Sequence, residues 1–353
     1  MGKFKAFLKR KDIEFSLNRY GIGALSAMAQ GLFASLLIGT ILGTLGTQLH
    51  LPILNQIGDY AKAADGIAMA VAIGYALHCP PLVLFSLCAV GYAADELGGA
   101  GGPLAVLLVT CVAAEFGKAV SKETPVDILV TPLVTILVGA LLAVVAAPYI
   151  GMGAKAVGSA IMWATELRPL LMGIIVSVAV GIALTLPISS AAICAGFGLM
   201  GLAGGAAVAG CCAQMVGFAV ISFRENRWNG LLSQGLGTSM LQMGNIVKNP
   251  CIWIAPTLAS AVTGPIATCV FKLQMNGAPI CSGMGTCGMV GPIGVYNGWV
   301  ADVASGAKSA VTAMDWIGLL AVCIVLPAVF SLLFDFAARK IGIVKPGDMK
   351  LDA

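Results

Sequence analysis

The side chains with the most chemistry to offer lie between Ser233 and Asn276. Gln234, Thr238, Ser239, Gln242, Asn245, Lys248 and Asn249 lead into Pro250-Cys-Ile-Trp-Ile-Ala-Pro256, and Gln274 and Asn276 follow. Neutral amides and hydroxyls present donors and acceptors in pairs, which suits a polyhydroxylated solute better than an ion or a lipid. Trp253 could stack on a sugar face, although a tryptophan more commonly anchors a helix at a membrane interface. Residues 229–247 carry no charge, which argues against a plain exposed loop. Gln242, Asn245, Asn249, Trp253 and Asn276 are therefore expected to bind substrate.

Three further residues are candidates for the same work. His78 interrupts a 29-residue uncharged run directly before Cys79-Pro80-Pro81. The two prolines must break a helix there and free backbone carbonyls one turn earlier. A histidine at that break could hydrogen-bond a sugar or relay a proton, or simply satisfy those carbonyls. Glu115 and Lys118, at i and i+3, can neutralise each other on one helix face, at membrane depth or at a helix end. Thr286 sits in Gly283-Met-Gly-Thr-Cys-Gly-Met-Val-Gly291, a run whose backbone N–H groups could cradle an anion. It lacks the Lys-Ser/Thr of a nucleotide loop, and the chain has no HExxH motif and no Ser-His-Asp set with credible spacing. None of the eleven cysteines forms a CxxC or pairs with histidine at a metal-ligand spacing, and only Cys281 and Cys287 merit a check as a pair. No catalytic residue, metal or cofactor is expected.

The elements that must position these groups follow from composition. Charged residues make up 10% of the 353, where a soluble domain carries about 25%. Apolar residues reach 59%, mean hydropathy is +0.95 and glycine occurs 45 times. So few charges cannot clothe a water-soluble fold, and glycine in an apolar chain suits closely packed transmembrane helices. Disorder, collagen and a secreted disulfide scaffold are excluded. The expected fold class is an all-α polytopic membrane protein set in a lipid bilayer.

Uncharged runs near 20–48, 66–92, 103–121, 128–150, 170–188, 191–222, 250–271 and 316–338 are long enough to span. The stretches 229–247 and 279–300 are uncharged but rich in small and polar residues, and read as re-entrant or broken segments. That gives eight spans, or ten if both cross. Lys3, Lys5, Lys9, Arg10, Lys11 and Arg19 at one end, and Arg339, Lys340, Lys345 and Lys350 at the other, hold half of all Lys and Arg. The positive-inside rule then expects both termini in the cytoplasm, although no parity puts Lys118, Lys122, Lys155 and Arg168 all inside. The basic N-terminal stretch and its long apolar successor do not read as a cleaved signal. The expected organisation is a basic tail over 1–19, one transmembrane half over 20–168, a second with the solute site over 169–338, and a tail over 339–353. The net charge of +4 follows from these tails, and no nucleic-acid partner is expected.

An internal echo joins two glycine-rich runs. Pro187-Ile-Ser-Ser190 opens one and Pro279-Ile-Cys-Ser282 the other, with Gly196 and Gly288 equally spaced from their prolines. Paired interrupted segments point to a transporter binding site, and ordinary helix packing gives the competing reading.

Gly244-Asn-Ile-Val-Lys-Asn-Pro250, Trp253-Ile-Ala-Pro256, Gly264-Pro265, Gly283-Met-Gly-Thr286 and Gly291-Pro-Ile-Gly294 carry a family likeness, as do Ser121-Lys-Glu-Thr-Pro-Val-Asp127 and Thr131-Pro132. Over most of its length the chain resembles the membrane-embedded IIC components of the bacterial sugar phosphotransferase system, nearest the perfringolysin-regulator-like branch. The resemblance implies a sugar held by Asn245, Asn249 and Pro250, and a plasma-membrane permease. It also implies a homodimer served by separate soluble IIB and IIA proteins, since no IIB domain is fused. Sugar-binding relatives place a glutamate before this proline, where this chain has Asn249. An amide is a weaker acceptor for the proton of a sugar hydroxyl that becomes phosphorylated, so translocation is better supported than phosphotransfer.

The leading expectation is a IIC-type permease for a carbohydrate or similar polar solute. A membrane-embedded solute sensor on the same scaffold is one rival, and a proton-coupled carrier using Glu115 and His78 is another. Arg224-Glu-Asn-Arg227 is read as a docking loop for a partner or as a loop that merely sets topology.

Overall fold

The computed structural model describes residues 2–351; the first residue and the last two of the expected tails lie outside the described residues. The described residues are mostly helical, and they contain one isolated antiparallel bridge, between Gly201 and Met275. It divides into two compact units. One holds the residues up to Gly43 together with Pro52–Gly153, and the other holds Thr44–Leu51 with the rest of the chain from Ala154.

The first unit begins with the short α1 (Gly2–Arg10) and the long apolar α2 (Asn18–Gln48), whose end from Thr44 belongs to the other unit, followed by α3 (Pro52–Lys62) and α4 (Asp65–Ala76). The run expected as one span over 66–92 is broken. His78 takes a left-handed backbone (φ 56°), and Pro81 opens α5 (Pro81–Gly98). At Gly99 (φ 51°) the chain reverses into α6 (Gly102–Val120), which packs back along α5. Positive φ excludes most side chains, which is why a glycine makes this hairpin.

The long α7 (Asp127–Thr165) begins in the first unit and ends in the second. Only 22% of its most apolar window is buried, which fits a helix that leaves most of its surface to lipid.

The second unit is built around α10 (Gly201–Ile221), 89% of whose apolar window is buried. Against it pack α8 (Pro169–Thr185), α13 (Pro250–Val270) and α15 (Ala313–Ile341). Glycine allows the close approach: a Cβ on Gly210 would lie 1.9 Å from the Ser177 carbonyl oxygen, and one on Gly264 would lie 2.1 Å from that of Gly173. Without an aqueous hydrophobic effect between helices, such backbone contact supplies much of the packing attraction. The run expected over 191–222 is split, with α9 (Ser190–Gly196) separated from α10 by the turn at Phe197–Met200.

The stretch expected to be irregular over 229–247 is largely so, and that expected over 279–300 is irregular only as far as 289, after which it is a regular helix. Residues 223–248 run as α11 (Phe223–Leu232), kinked at Arg227, then a wide π-type turn over 233–237 and a tight 3-10 turn over 239–242, then the short α12 (Met243–Lys248). Residues 279–289 form successive tight turns before α14 (Val290–Ala304). Irregular backbone at membrane depth survives where protein covers it, and here it lies against α10.

Candidate functional site

The echoed Pro-x-x-Ser segments meet in the second unit. Ser190 Oγ donates to the Gly283 carbonyl at 2.7 Å, and Ser282 Oγ donates to the Leu199 carbonyl at 2.6 Å. Each serine thus satisfies backbone freed by the break in the other segment. Gly201 and Met275 exchange two backbone hydrogen bonds of 2.9 Å beside them. Gly205 must be glycine here, because a Cβ would stand 1.8 Å from the Leu273 carbonyl oxygen. These contacts hold both broken segments against the N-terminal half of α10. Cys281 and Cys287 are both free thiols, and among the described residues no His, Cys, Asp and Glu group could hold a metal ion.

About two and a half turns beyond Gly205 on α10 lies a buried network without charge. The Gln214 carboxamide oxygen accepts from the Trp253 indole N–H at 2.9 Å and from the Thr185 hydroxyl at 3.3 Å. The Gln214 Nε2 group donates to Thr257 Oγ1 at 3.3 Å, and the hydroxyls of Thr185 and Ser239 lie 2.8 Å apart. Thr185, Gln214 and Ser239 are fully buried. The network draws on α8, α10, α13 and the turn before α12. Trp253, expected either to stack on a sugar or to anchor the interface, is half-buried and joins this cluster through its indole N–H. Thr286 is buried against the next residue of α10, its hydroxyl donating to Met215 Sδ at 3.7 Å.

Gln242, Asn245 and Asn249 come together at the end of the unit where α10 finishes and α13 begins. Asn245 Nδ2 donates to Gln242 Oε1 and to the Lys350 carbonyl, both at 2.8 Å. Gln242 Nε2 donates to Gln234 Oε1 at 2.9 Å and to the Met349 carbonyl at 3.0 Å. Asn249 caps the helical turn over Pro250–Trp253, its Oδ1 accepting from the Cys251 N–H at 3.1 Å. Its Nδ2 donates to Asp348 at 2.8 Å and to the Ile343 carbonyl at 3.2 Å. The C-terminal segment therefore takes part in the hydrogen bonding of all three residues.

Asn276 lies at the opposite end of the unit, beside the N-terminus of α15. It borders a cavity of about 350 Å³ with Gln274, Trp299, Asp302, Lys308 and Asp315. Asn276 Nδ2 donates to Asp302 at 2.8 Å and to Gln274 Oε1 at 3.2 Å. Lys308 pairs with Asp315 at 2.8 Å and lies 5.8 Å from the Trp299 ring centroid.

His78 and Glu115 belong to the first unit and form a different kind of cluster. Lys118 pairs with Glu115 at 3.1 Å, and both side chains are buried. Lys118 also donates to the carbonyls of Asp12 and, at 3.1 Å, Leu77. Tyr20 Oη donates to Glu115 at 2.9 Å, and Arg19 donates to Asp12 through two nitrogens at 2.7 and 3.1 Å and to the Leu77 carbonyl at 2.8 Å. Arg19 and Lys118 thus satisfy the carbonyl at the break that the prolines impose. The His78 side chain is 78% exposed, with Nδ1 3.2 Å from Asp12. The hydrogen bond from Arg19 is the main reason that the Asp12 carboxyl is held down to about 2.

Sequence reasoning passed over Thr185, Gln214 and Thr257 as well as the tail contacts. One signal was available: Gln214 is the only amide in an otherwise apolar or small-residue run from 201 to 221. A buried amide in such a helix needs partners, and those partners define the network.

No curated protein and no solved structure matches the chain. The family model described as "Phosphotransferase system, EIIC" matches residues 22–351 and so takes in both units, the Gln214 network, the Asn276 cavity and the tail. The chain is a multi-pass membrane protein that belongs to the phosphotransferase system EIIC family.

Proposed function

We propose that this chain is the permease component for a carbohydrate or similar polar solute, and that the second unit binds it. The observation that carries this reading is the buried, uncharged network of Thr185, Gln214, Ser239, Trp253 and Thr257. Neutral hydroxyls and amides can exchange partners with solute hydroxyls without exposing a buried charge. The broken segments packed on α10 offer backbone able to rearrange around a solute, as in other transporters. Gln242, Asn245 and Asn249 extend the same chemistry toward the tail, and Asn276 contributes to an entry cavity at the other end.

Basic residues support an orientation. Arg224, Arg227, Lys248, Arg339, Lys340, Lys345 and Lys350 belong to segments at the tail end of the second unit, whereas Lys272 and Lys308 border the opposite cavity. The positive-inside rule places the tail end in the cytoplasm, with the Asn276 cavity facing outward. Any phosphorylation would come from a separate IIB protein. A homodimer in the plasma membrane belongs to the same proposal and is read from the protomer count of detergent-purified protein.

The test is ligand-dependent thermal stabilisation of the purified chain across free sugars, sugar acids, polyols and phosphorylated sugars. A ligand at 100 times its Kd adds about 2.7 kcal/mol. Stabilisation by one class, lost in Gln214→Ala, supports the site. A ligand that stabilises Gln214→Ala and the parent equally places binding elsewhere.

A further inference from the structure

The C-terminal segment makes contacts that a topology-setting tail does not need. Gly342 (φ 85°) ends α15, and Ile343–Leu351 turns back across the ends of α11 and α12. Glu225 receives the backbone N–H of Gly347 at 3.0 Å and that of Met349 at 3.1 Å, one on each carboxylate oxygen. Asn226 pairs with the same backbone in both directions, donating to the Met349 carbonyl and accepting from the Leu351 N–H, each at 2.8 Å. Gln242 and Asn245 take the carbonyls of Met349 and Lys350. Met349 is fully buried and Val344 is 3% exposed. Arg339 holds the groove's own carboxylate, reaching Glu225 at 3.3 Å from α15.

This is how a protein reads a peptide: paired main-chain hydrogen bonds give affinity and a buried side chain gives selectivity. We propose that Glu225, Asn226, Gln242 and Asn245 form a peptide-binding groove, and that its ligand is the chain's own segment Ile343–Leu351, seated as a removable strap. The groove side chains recognise main-chain groups of a segment folded into successive turns over Lys345–Lys350, and Met349 is the anchor. Two buried apolar side chains and a set of hydrogen bonds, two of them accepted by the Glu225 carboxylate, hold the strap, with no salt bridge between strap and groove among the described residues. Such an attachment opens locally without unfolding the helices beneath it. While seated, the strap occupies the amide donors of Gln242 and Asn245, so it competes with any solute that uses them. That last consequence rests on the solute site proposed above; the groove itself does not.

The test uses a fluorescent synthetic peptide, Ile343-Val-Lys-Pro-Gly-Asp-Met-Lys-Leu351, and protein in nanodiscs. A chain truncated after Gly342 is expected to bind it at least tenfold more tightly than the intact chain, whose groove is filled. The Met349→Asp peptide and the Glu225→Gln groove should each weaken binding tenfold or more. Equal binding to intact and truncated chains, or indifference to Met349→Asp, overturns the groove. If truncation prevents folding, hydrogen exchange on the intact chain decides. The amides of Gly347, Met349 and Leu351 should exchange at least a hundredfold faster than those of α10. Exchange as slow as that of α10 makes the segment an integral part of the fold and sinks the strap. Peptide binding with no stabilising sugar in the solute panel keeps the groove and removes the solute reading.

Discussion

The two units bury polar groups in opposite ways. In the first, Glu115 and Lys118 are charged, buried and fixed by Tyr20 and by the carbonyls of Asp12 and Leu77. In the second, Gln214 and its partners are neutral and linked by hydrogen bonds of 2.8 to 3.3 Å. Each charge in the first cluster depends on its particular partner, because an unpaired ion in a low-dielectric interior carries a penalty of several kcal/mol. Neutral groups lose far less when partners change. The first cluster therefore behaves as a clamp across the proline break, and the second has the freedom that a binding site requires. The contrast turns the Glu115–His78 pair away from proton coupling, since the Lys118 ammonium holds Glu115 and His78 faces outward on Asp12.

The largest effect expected is from breaking the clamp on one side. Lys118→Ala leaves Glu115 buried without its cation and should cost about 3–5 kcal/mol. It should appear as a sharp fall in the melting temperature of detergent-purified protein. Adding Glu115→Gln to that variant should restore part of the loss. If Lys118→Ala melts like the parent, the charged cluster is no clamp.

Gly210→Ala probes the packing that brings α8 to the neutral network, and it drives a methyl into the Ser177 carbonyl. Overpacking of this kind costs about 1–3 kcal/mol, and the same melting assay reads it. An unchanged melting temperature would show that α8 and α10 can separate freely.

Gln214→Ala leaves the Trp253 indole and the Thr185 hydroxyl short of an acceptor, for a loss of about 1–3 kcal/mol. Its sharper consequence is functional, because solute stabilisation should vanish even at temperatures where the variant stays folded. Uptake into vesicles with parental kinetics would refute the site. Asn276→Ala, in a partly solvated cavity, should change stability by less than about 0.5 kcal/mol. A several-fold rise in half-saturating solute concentration is expected, and no change removes the cavity from the path.

The smallest effect is the pH response of the first unit. Folding lowers the Asp12 carboxyl from 3.8 to about 2, so its contribution is complete above pH 4 and fades as pH falls toward 2. Asp12→Asn should melt more nearly independently of pH across that window. An identical acid profile would show that Arg19 and Asp12 add nothing to the clamp.

Much of the architecture was legible because a bilayer leaves few options. Uncharged runs of about 20 residues gave most of the helices, and Cys79-Pro80-Pro81 marked the break where two cations now cap Leu77. The irregularity of 229–247 and of the first part of 279–300 was visible in their polar and glycine-rich character, and the Pro-x-x-Ser echo named two segments that do meet. Harder to read was the candidate site. Gln242, Asn245 and Asn249 are neighbours as their spacing suggested, but Asn276 lies at the other end of the unit. Spacing along a chain says little about residues on either side of a membrane-length helix such as α13.

By itself the sequence determined that this chain lives in a bilayer, that it is helical, and where some of its helices break, as at Pro80-Pro81. Those properties follow from hydropathy, charge and proline, which act locally. Only the tertiary structure decided that Trp253 turns inward to Gln214, that Lys118 and Arg19 serve one freed carbonyl, and that the tail returns to Asn226 and Asn245. Each of these pairs joins residues 39 to 123 positions apart, and a hydrogen bond over such a separation forms only once the helices between have packed.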